Sequence, residues 1–413
     1  MTTATWLTET EFNTFNSASG KSDSVDEKDN RKSWLIVIFL FVGLTGAMLQ
    51  VRGALVPTFE THFQVNKSLL GLITPVGTVG YLVALLGLGS ASGRVNIRRF
   101  LLIGVALTGL SLLLLGAAPS FLVLLALIGM RSLSTGIFRA LDRPTLSHLY
   151  PESRARIFNL EEMTWAVGAT SGPILVTALL SQYSWRATYL VLAALTVPML
   201  VLLWRLDTPT GTTNERSFAR SDIRPLLSEP AVYGMLVALI FVGSIESIYF
   251  TWLTSYANVT FSGWITGIVL SIYLAAYVPG RLVFSRLSHR YSFTRLLLVT
   301  SILLTALTYI AFTGANGYLL LGSIFGVGLL VSGMFPTLIS MGIEAVPSFS
   351  GPVNVVGNVA TQIGFFTAPA IVGVLADATS IGTAILVQIG LAGLLTLVML
   401  LLELGPTGTA SAV

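Results

Sequence analysis

The chain has 413 residues, of which 54% are apolar and only 10% charged, and its mean hydropathy is +0.81. Soluble domains carry about 25% charged residues, so this composition describes an integral membrane protein and excludes a soluble enzyme. The small net charge of +4 follows sidedness along the chain instead of forming a basic patch, which argues against nucleic acid as a partner, and the lack of cysteine excludes disulfides and thiolate metal sites.

Residues 1–33 are polar and read as a disordered cytoplasmic tail. No positive n-region leads into an apolar core there, so the first span serves as its own anchor. Apolar stretches of about 20 residues, enough to cross a bilayer, begin near Trp34, Ser68, Arg98, Phe121, Arg156 and Trp185, making a six-helix half over residues 34–206. Residues 207–229 are the longest polar interruption and read as a cytoplasmic linker. A second half over residues 230–404 has spans beginning near Ala231, Trp264, Thr294, Tyr318, Gly351 and Ile381, followed by a short cytoplasmic tail, 405–413. The predicted fold is all-α and integral to the membrane, with twelve transmembrane helices in two pseudo-symmetric six-helix halves. Short connections such as Gly314 to Gly317 make successive spans antiparallel neighbours.

Nearly every Lys and Arg near a span end falls on one side, and only Lys67 and Arg186 fall on the other. That bias assigns the first side, with both termini, to the cytoplasm and the chain to the cell membrane as a multi-pass protein. Trp34, Trp185, Trp204 and Trp264 lie at span ends, where interfacial anchors are expected. His62, His148 and His289 lie in or beside loops and read as solvated residues, not metal ligands.

The halves repeat one another. A shift of 196 residues places Tyr81 on Tyr277, Arg94 on Arg290, Gly168 on Gly364 and Pro173 on Pro369. A shift of 192 places Pro144-Thr145-Leu146 on Pro336-Thr337-Leu338. GxxxGP in the fifth span, Gly168 to Pro173, thus answers GxxxAP in the eleventh, Gly364 to Pro369. Glycines four apart share one helix face and admit close backbone approach, and the prolines each remove a hydrogen bond. The two elements are expected to act as matched pivots between the halves.

With its two six-helix halves, the basic loops Ser92 to Arg99 and Ser288 to Arg295, and GxxxGP in helix five, the chain resembles the major facilitator superfamily over nearly all of its length after residue 33. Those loops depart from the family pattern of Asp before Arg, an aromatic and Gly: Gly93 and His289 replace the Asp, and Asn96 and Ser292 the Gly. GxxxGP is similar to the drug antiporter branch, and Asn159-Leu160 ahead of it to the sugar and proton symporters, so the branch stays open. The resemblance implies secondary transport by alternating access, with a central cavity lined by helices one, four, seven and ten.

Charges inside spans are the sharpest functional signal, because lipid tolerates them only when they pair, bind or relay protons. Arg131, at mid-depth in helix four, offers a planar fork of donors for a substrate carboxylate or phosphate, or else pairs with a buried acid. Arg52, just after Gln50 in helix one, joins it as a candidate ligand. Glu246 in helix seven is the leading proton carrier, since burial disfavours the charged form of a carboxyl; the other reading is a glutamate bonded to hydroxyls or paired with Arg52 or Arg131. Glu162 is the second proton candidate and also fits a gate salt bridge. Glu161 shares the glycine face and reads as a structural partner of Arg139 or Arg143.

Asp142 and Glu344 are expected to pair with loop arginines such as Arg94, Arg98 and Arg290 to close the cytoplasmic side, and Arg281, after Pro279-Gly280, to act as a packing or gate cation. Asn354, Asn358 and Thr361 form a polar stripe on helix eleven, followed by Gln362; Tyr277 repeats Tyr273 at one helical turn. Asn358, Gln362, Gln50 and Tyr277 complete the expected substrate set. No nucleotide, metal or hydrolase motif occurs, so neither a cofactor nor catalysis is expected. The expected function is transport of a small polar or anionic solute by a monomer, coupled to protons. The alternatives are efflux of drugs or metabolites by proton antiport and, from another class, a non-transporting receptor or scaffold.

Overall fold

The computed structural model describes residues 9–89, 96–150, 153–206 and 228–405. Among these residues, twelve helical spans are long and apolar enough to cross a membrane. The first half holds α1 (Asn30–Ala54), α2 (Lys67–Leu88), α3 (Ile97–Gly116), α4 (Phe121–Leu149), α5 (Arg156–Leu180) and α6 (Arg186–Arg205). The second holds α7 (Pro230–Thr260), α8 (Trp264–Leu287), α9 (Phe293–Thr313), α10 (Gly317–Ala345), α11 (Gly351–Ala378) and α12 (Ile381–Leu404). Helices suit this composition because lipid offers no partner for a backbone N–H or C=O. The sequence boundaries agree with these spans to within a few residues.

The helix containing α1 begins at Glu9, within the segment expected to be a disordered tail. Once the apolar span has nucleated the helix, each further turn adds one bond per residue fixed, and no proline occurs between Glu9 and Ala54 to stop it. The expected linker falls almost wholly in residues 207–227, outside the described residues.

Five spans are interrupted among the described residues, α12 at Ile385-Leu386 and four others three or four residues before a proline. Those four breaks lie at Gly71-Leu72 before Pro75, at Ala140-Leu141 before Pro144, at Ala276 before Pro279, and at Ser332-Gly333 before Pro336. Proline cannot donate to the carbonyl four residues back, and its ring crowds that carbonyl. The repeat extends to atoms here: Thr145 Oγ1 donates to the Leu141 carbonyl at 2.6 Å and Thr337 Oγ1 to the Gly333 carbonyl at 2.7 Å. Pro173 and Pro369, by contrast, sit inside continuous helices.

Packing obeys the same twofold relation. Within the halves α1 packs on α5, α2 on α4 and α3 on α6, matched by α7 on α11, α8 on α10 and α9 on α12. Between the halves the main contacts are α5 with α8 and α2 with α11, which exchange when the halves are exchanged.

The glycines of the two elements do not meet the opposite half. A Cβ on Gly168 would overlap the Gly43 carbonyl of α1, and one on Gly172 would lie 2.7 Å from the Ala47 carbonyl. Gly364 meets Ile240 and Ser244 of α7 in the same way. Both seams therefore join neighbours within a half, because backbone approach this close needs a missing side chain on the facing surface. Two tryptophans are likewise reassigned. Trp34 is fully buried because α1 is enclosed by α5, α6 and α7, and Trp185 is buried against Phe59, with ring centroids 5.3 Å apart. Trp204 and Trp264 are both 68% exposed, as anchors at a lipid interface should be.

Candidate functional site: a charged cavity between the halves

The antiparallel order of the spans gives the bundle two ends. The basic end carries the start of α1 and the finish of α12; at the far end the halves are joined. Asp377 of α11 accepts hydrogen bonds from the backbone N–H of Lys67 (2.9 Å) and Ser68 (2.8 Å) and from the Ser68 hydroxyl. Below this, Gly71 of α2 lies against the Pro369 carbonyl, and Gly53 of α1 against that of Phe250. Thr74 and Thr251 hydroxyls meet at 2.8 Å.

Beneath that closure lies a cavity of about 250 Å³ reached by α1, α2, α4, α5, α7, α8, α10 and α11. The first half contributes Arg52, Arg131, Ser132, Thr45, Thr78 and Thr135; the second contributes Glu246, Phe250, Tyr277, Phe335, Gln362 and Phe365.

Arg52 and Arg131 are buried, at 6% and 4% exposure, yet neither forms an ion pair among the described residues. Arg131 Nη2 donates to Ser132 Oγ at 2.9 Å. A Cβ on Gly77 would stand 2.6 Å from Arg52 Nη1 and 3.0 Å from Ser132 Oγ, so Arg52 and the hydroxyl that holds Arg131 both lie against Gly77, where the missing side chain leaves them room. Buried charge without a counter-charge is unfavourable, and an anion entering here would supply one. Glu246, across the cavity, accepts a 2.7 Å hydrogen bond from Tyr277 Oη, which lies 3.1 Å from Tyr273 Oη. It has no ion-paired arginine among the described residues, so its proton can come and go without breaking a salt bridge.

Towards the basic end the remaining charges compensate one another. Glu161 is fully buried and takes hydrogen bonds from Arg139 Nη1 and, at 3.3 Å, from Arg143 Nε. Asp142, also fully buried, accepts from Arg139 Nη1 at 2.8 Å and from the Arg143 backbone N–H at 2.6 Å. Glu162 pairs with Arg143 and reaches across to the other half, where Arg281 Nη1 donates to its carbonyl at 3.0 Å and its carboxylate at 3.3 Å.

Of the residues expected to bind substrate, Arg52, Arg131, Glu246, Gln362 and Tyr277 line the cavity. Gln50 and Asn358 do not. Gln50 is fully buried with both amide atoms unpartnered, and Asn358 spends its amide on the Asn354 carbonyl and side chain, at 2.9 and 2.8 Å. The gate expectations also change. Asp142 pairs within its own helix, because three residues of spacing suffice for Arg139 to reach it. Glu344 and Arg290 are exposed and form no ion pair among the described residues, and Arg98 caps the Trp204 carbonyl of its own half. Arg94 lies outside the described residues. Gly77, Ser132 and the ring-bearing Trp165, Phe250, Phe335 and Phe365 escaped the sequence reading, although Ser132 adjoins Arg131, and Phe250 and Phe365 lie on the helices that carry Glu246 and Gln362. The described residues hold no cluster of three or more His, Cys, Asp or Glu suited to a metal.

A cavity enclosed between two six-helix bodies is the architecture of a membrane transporter. A family model described as Major Facilitator Superfamily matches residues 34–264 and 258–412, and the chain belongs to that superfamily. It is 27% identical over 235 residues to the multidrug resistance protein Stp of Mycobacterium tuberculosis, an alignment covering 54% of this chain and 43% of Stp, less than half that relative's length. With the uncharacterized MFS-type transporter YceJ of Bacillus subtilis it is 24% identical, covering 84% of this chain and 89% of YceJ. The crystal structure of a bacterial homolog of the human lysosomal transporter Spinster, inward-facing and unoccupied, superposes with a TM-score of 0.76 at 13% identity, over 90% of this chain and 96% of that one.

Proposed function

We propose that the protein carries a small organic anion across the cell membrane by alternating access, coupled to protons through Glu246, working as a monomer with its basic end in the cytoplasm. The observation that carries this reading is the pair of buried arginines, Arg52 and Arg131, facing the cavity without a partner acid. An anion bound there neutralises charge that the fold leaves uncompensated. Proton binding at Glu246 then biases the equilibrium between the two access states, since only a ligand that favours one state shifts it. Flux of a labelled anion into proteoliposomes tests this: Arg131→Ala abolishes it, whereas unchanged anion flux in that variant sinks the reading.

A second reading has specific support. Stp is named for multidrug resistance, and the cavity also presents aromatic rings beside an acid, a combination that suits an organic cation exported against protons. Binding confined to cationic drugs and lost in Glu246→Gln would favour it. A protein that carries no solute in either direction would instead be a receptor or scaffold built on a transporter body.

A further inference from the structure

The cavity carries its unpaired cations and most of its rings on opposite halves. The two guanidinium groups unpaired among the described residues, Arg52 and Arg131, belong to the first half, and most of the rings, Phe250, Tyr277, Phe335 and Phe365, belong to the second, with Trp165 of the first half beside them. Phe250 is the hub of the rings, its centroid 5.9 Å from Phe365, 6.5 Å from Tyr277 and 6.5 Å from Trp165 of α5. Tilted and edge-on rings at such separations attract one another and accept a further ring. The Phe250 carbonyl lies against Gly53, next in sequence to Arg52, so the ring cluster and the cationic pole share one roof.

We propose that the substrate is an amphipathic aromatic carboxylate, its acid group between Arg52 and Arg131 and its ring against Phe250, Phe365 and Trp165. This narrows the anion reading above and rests on it. An inorganic anion would satisfy the arginines and leave the ring-lined wall unfilled, and a purely apolar or cationic ligand would leave two buried guanidinium groups uncompensated. Size agrees: a cavity of about 250 Å³ exceeds the roughly 150 Å³ that holds a benzene by enough for a short acidic arm. A ligand touching both walls also meets the demand of alternating access. When the halves part it loses one wall, so its binding free energy differs between the states.

Thermal shift of the purified full-length protein tests the proposal with four probes: 3-phenylpropionate, its neutral amide, inorganic phosphate and tetraphenylphosphonium. The carboxylate is expected to raise the melting temperature by roughly 2–4 °C and the amide to leave it unchanged. Phe365→Ala, which keeps both arginines, weakens 3-phenylpropionate by about tenfold, and Phe365→Tyr restores it. Equal responses to phosphate and 3-phenylpropionate, untouched by Phe365→Ala, overturn the aromatic assignment and preserve the anion reading. A response to tetraphenylphosphonium alone overturns the anion reading as well. No response to 3-phenylpropionate overturns the proposal.

Discussion

Asp377, at the far end of α11, holds Ser68 at the first turn of α2 by both its backbone N–H and its hydroxyl. The two residues belong to different halves, so the carboxylate serves at once as a helix cap and as the bolt that closes one side of the cavity. Capping bonds of this kind are worth about 1 kcal/mol. Asp377→Ala is therefore expected to shift the population towards the far-end-open state by about fivefold. The chain has no cysteine of its own, so the labelling rate of a single Thr74→Cys by an impermeant thiol reagent reports the change. An unaltered rate would show that the bolt contributes nothing.

Glu161 and Glu162 are adjacent in sequence and should differ sharply in effect. Glu161 is fully buried between two arginines, and Glu161→Gln leaves Arg139 with Asp142 and Arg143 with Glu162 as their remaining acids, one buried counter-charge fewer and a loss of about 2–3 kcal/mol in stability. Glu162 is about one-third exposed, and Glu162→Gln is expected to lower stability by less than about 1 kcal/mol. Its effect appears instead in conformation, since it loosens the link to Arg281 across the halves. Denaturation midpoints of the two variants in one detergent make the comparison, and equal midpoints would contradict it.

Close packing at the α1–α5 seam predicts intolerance of a single methyl group. Gly168→Ala forces the added carbon against the Gly43 carbonyl and is expected to lower stability by about 1–3 kcal/mol. Gly393→Ala in α12 meets nothing within 4 Å and should be neutral. Melting temperatures of the two variants check the contrast.

Glu246 faces Tyr277 on α8, and Arg281 and Glu162 line the same cavity. Glu246→Gln keeps a hydrogen-bond acceptor for Tyr277 but cannot release a proton. Counterflow exchange of substrate should therefore survive while uptake driven by an imposed pH gradient is lost, as measured in proteoliposomes. Gradient-driven uptake at the level of the unmodified protein would remove Glu246 from the coupling role.

The architecture was legible in the sequence because lipid enforces it: spans must be apolar, long and helical, and hydropathy registers all three. The repeat was legible too, down to Pro144 and Pro336. What a helical period cannot supply is azimuth within the bundle. It puts Gly168 and Gly172 on one face without saying that the face meets α1, and it puts Asn358 in a stripe without saying that the stripe closes on Asn354. Trp34 stands at a span end like any interfacial anchor, and only the neighbours of α1 bury it. Arg52 and Arg131 were legible as costly charges; that Arg52 and Ser132, the partner of Arg131, both come to Gly77 depends on how separate helices pack, which no local pattern encodes.

The two glycine seams also govern how such a chain can drift. At Gly46, Gly168, Gly243 and Gly364 a backbone atom of the facing helix occupies the place of a side chain, so no amino acid with a β-carbon fits unless two helices separate. Val83, Leu122 and Leu404, at 59%, 71% and 75% exposure, face outward, where one aliphatic residue serves as well as another. Substitutional freedom is thus apportioned by helix face, not by depth in the membrane. Relatives can exchange most of their letters along the lipid-facing sides and still superpose, provided a handful of glycines keep their places.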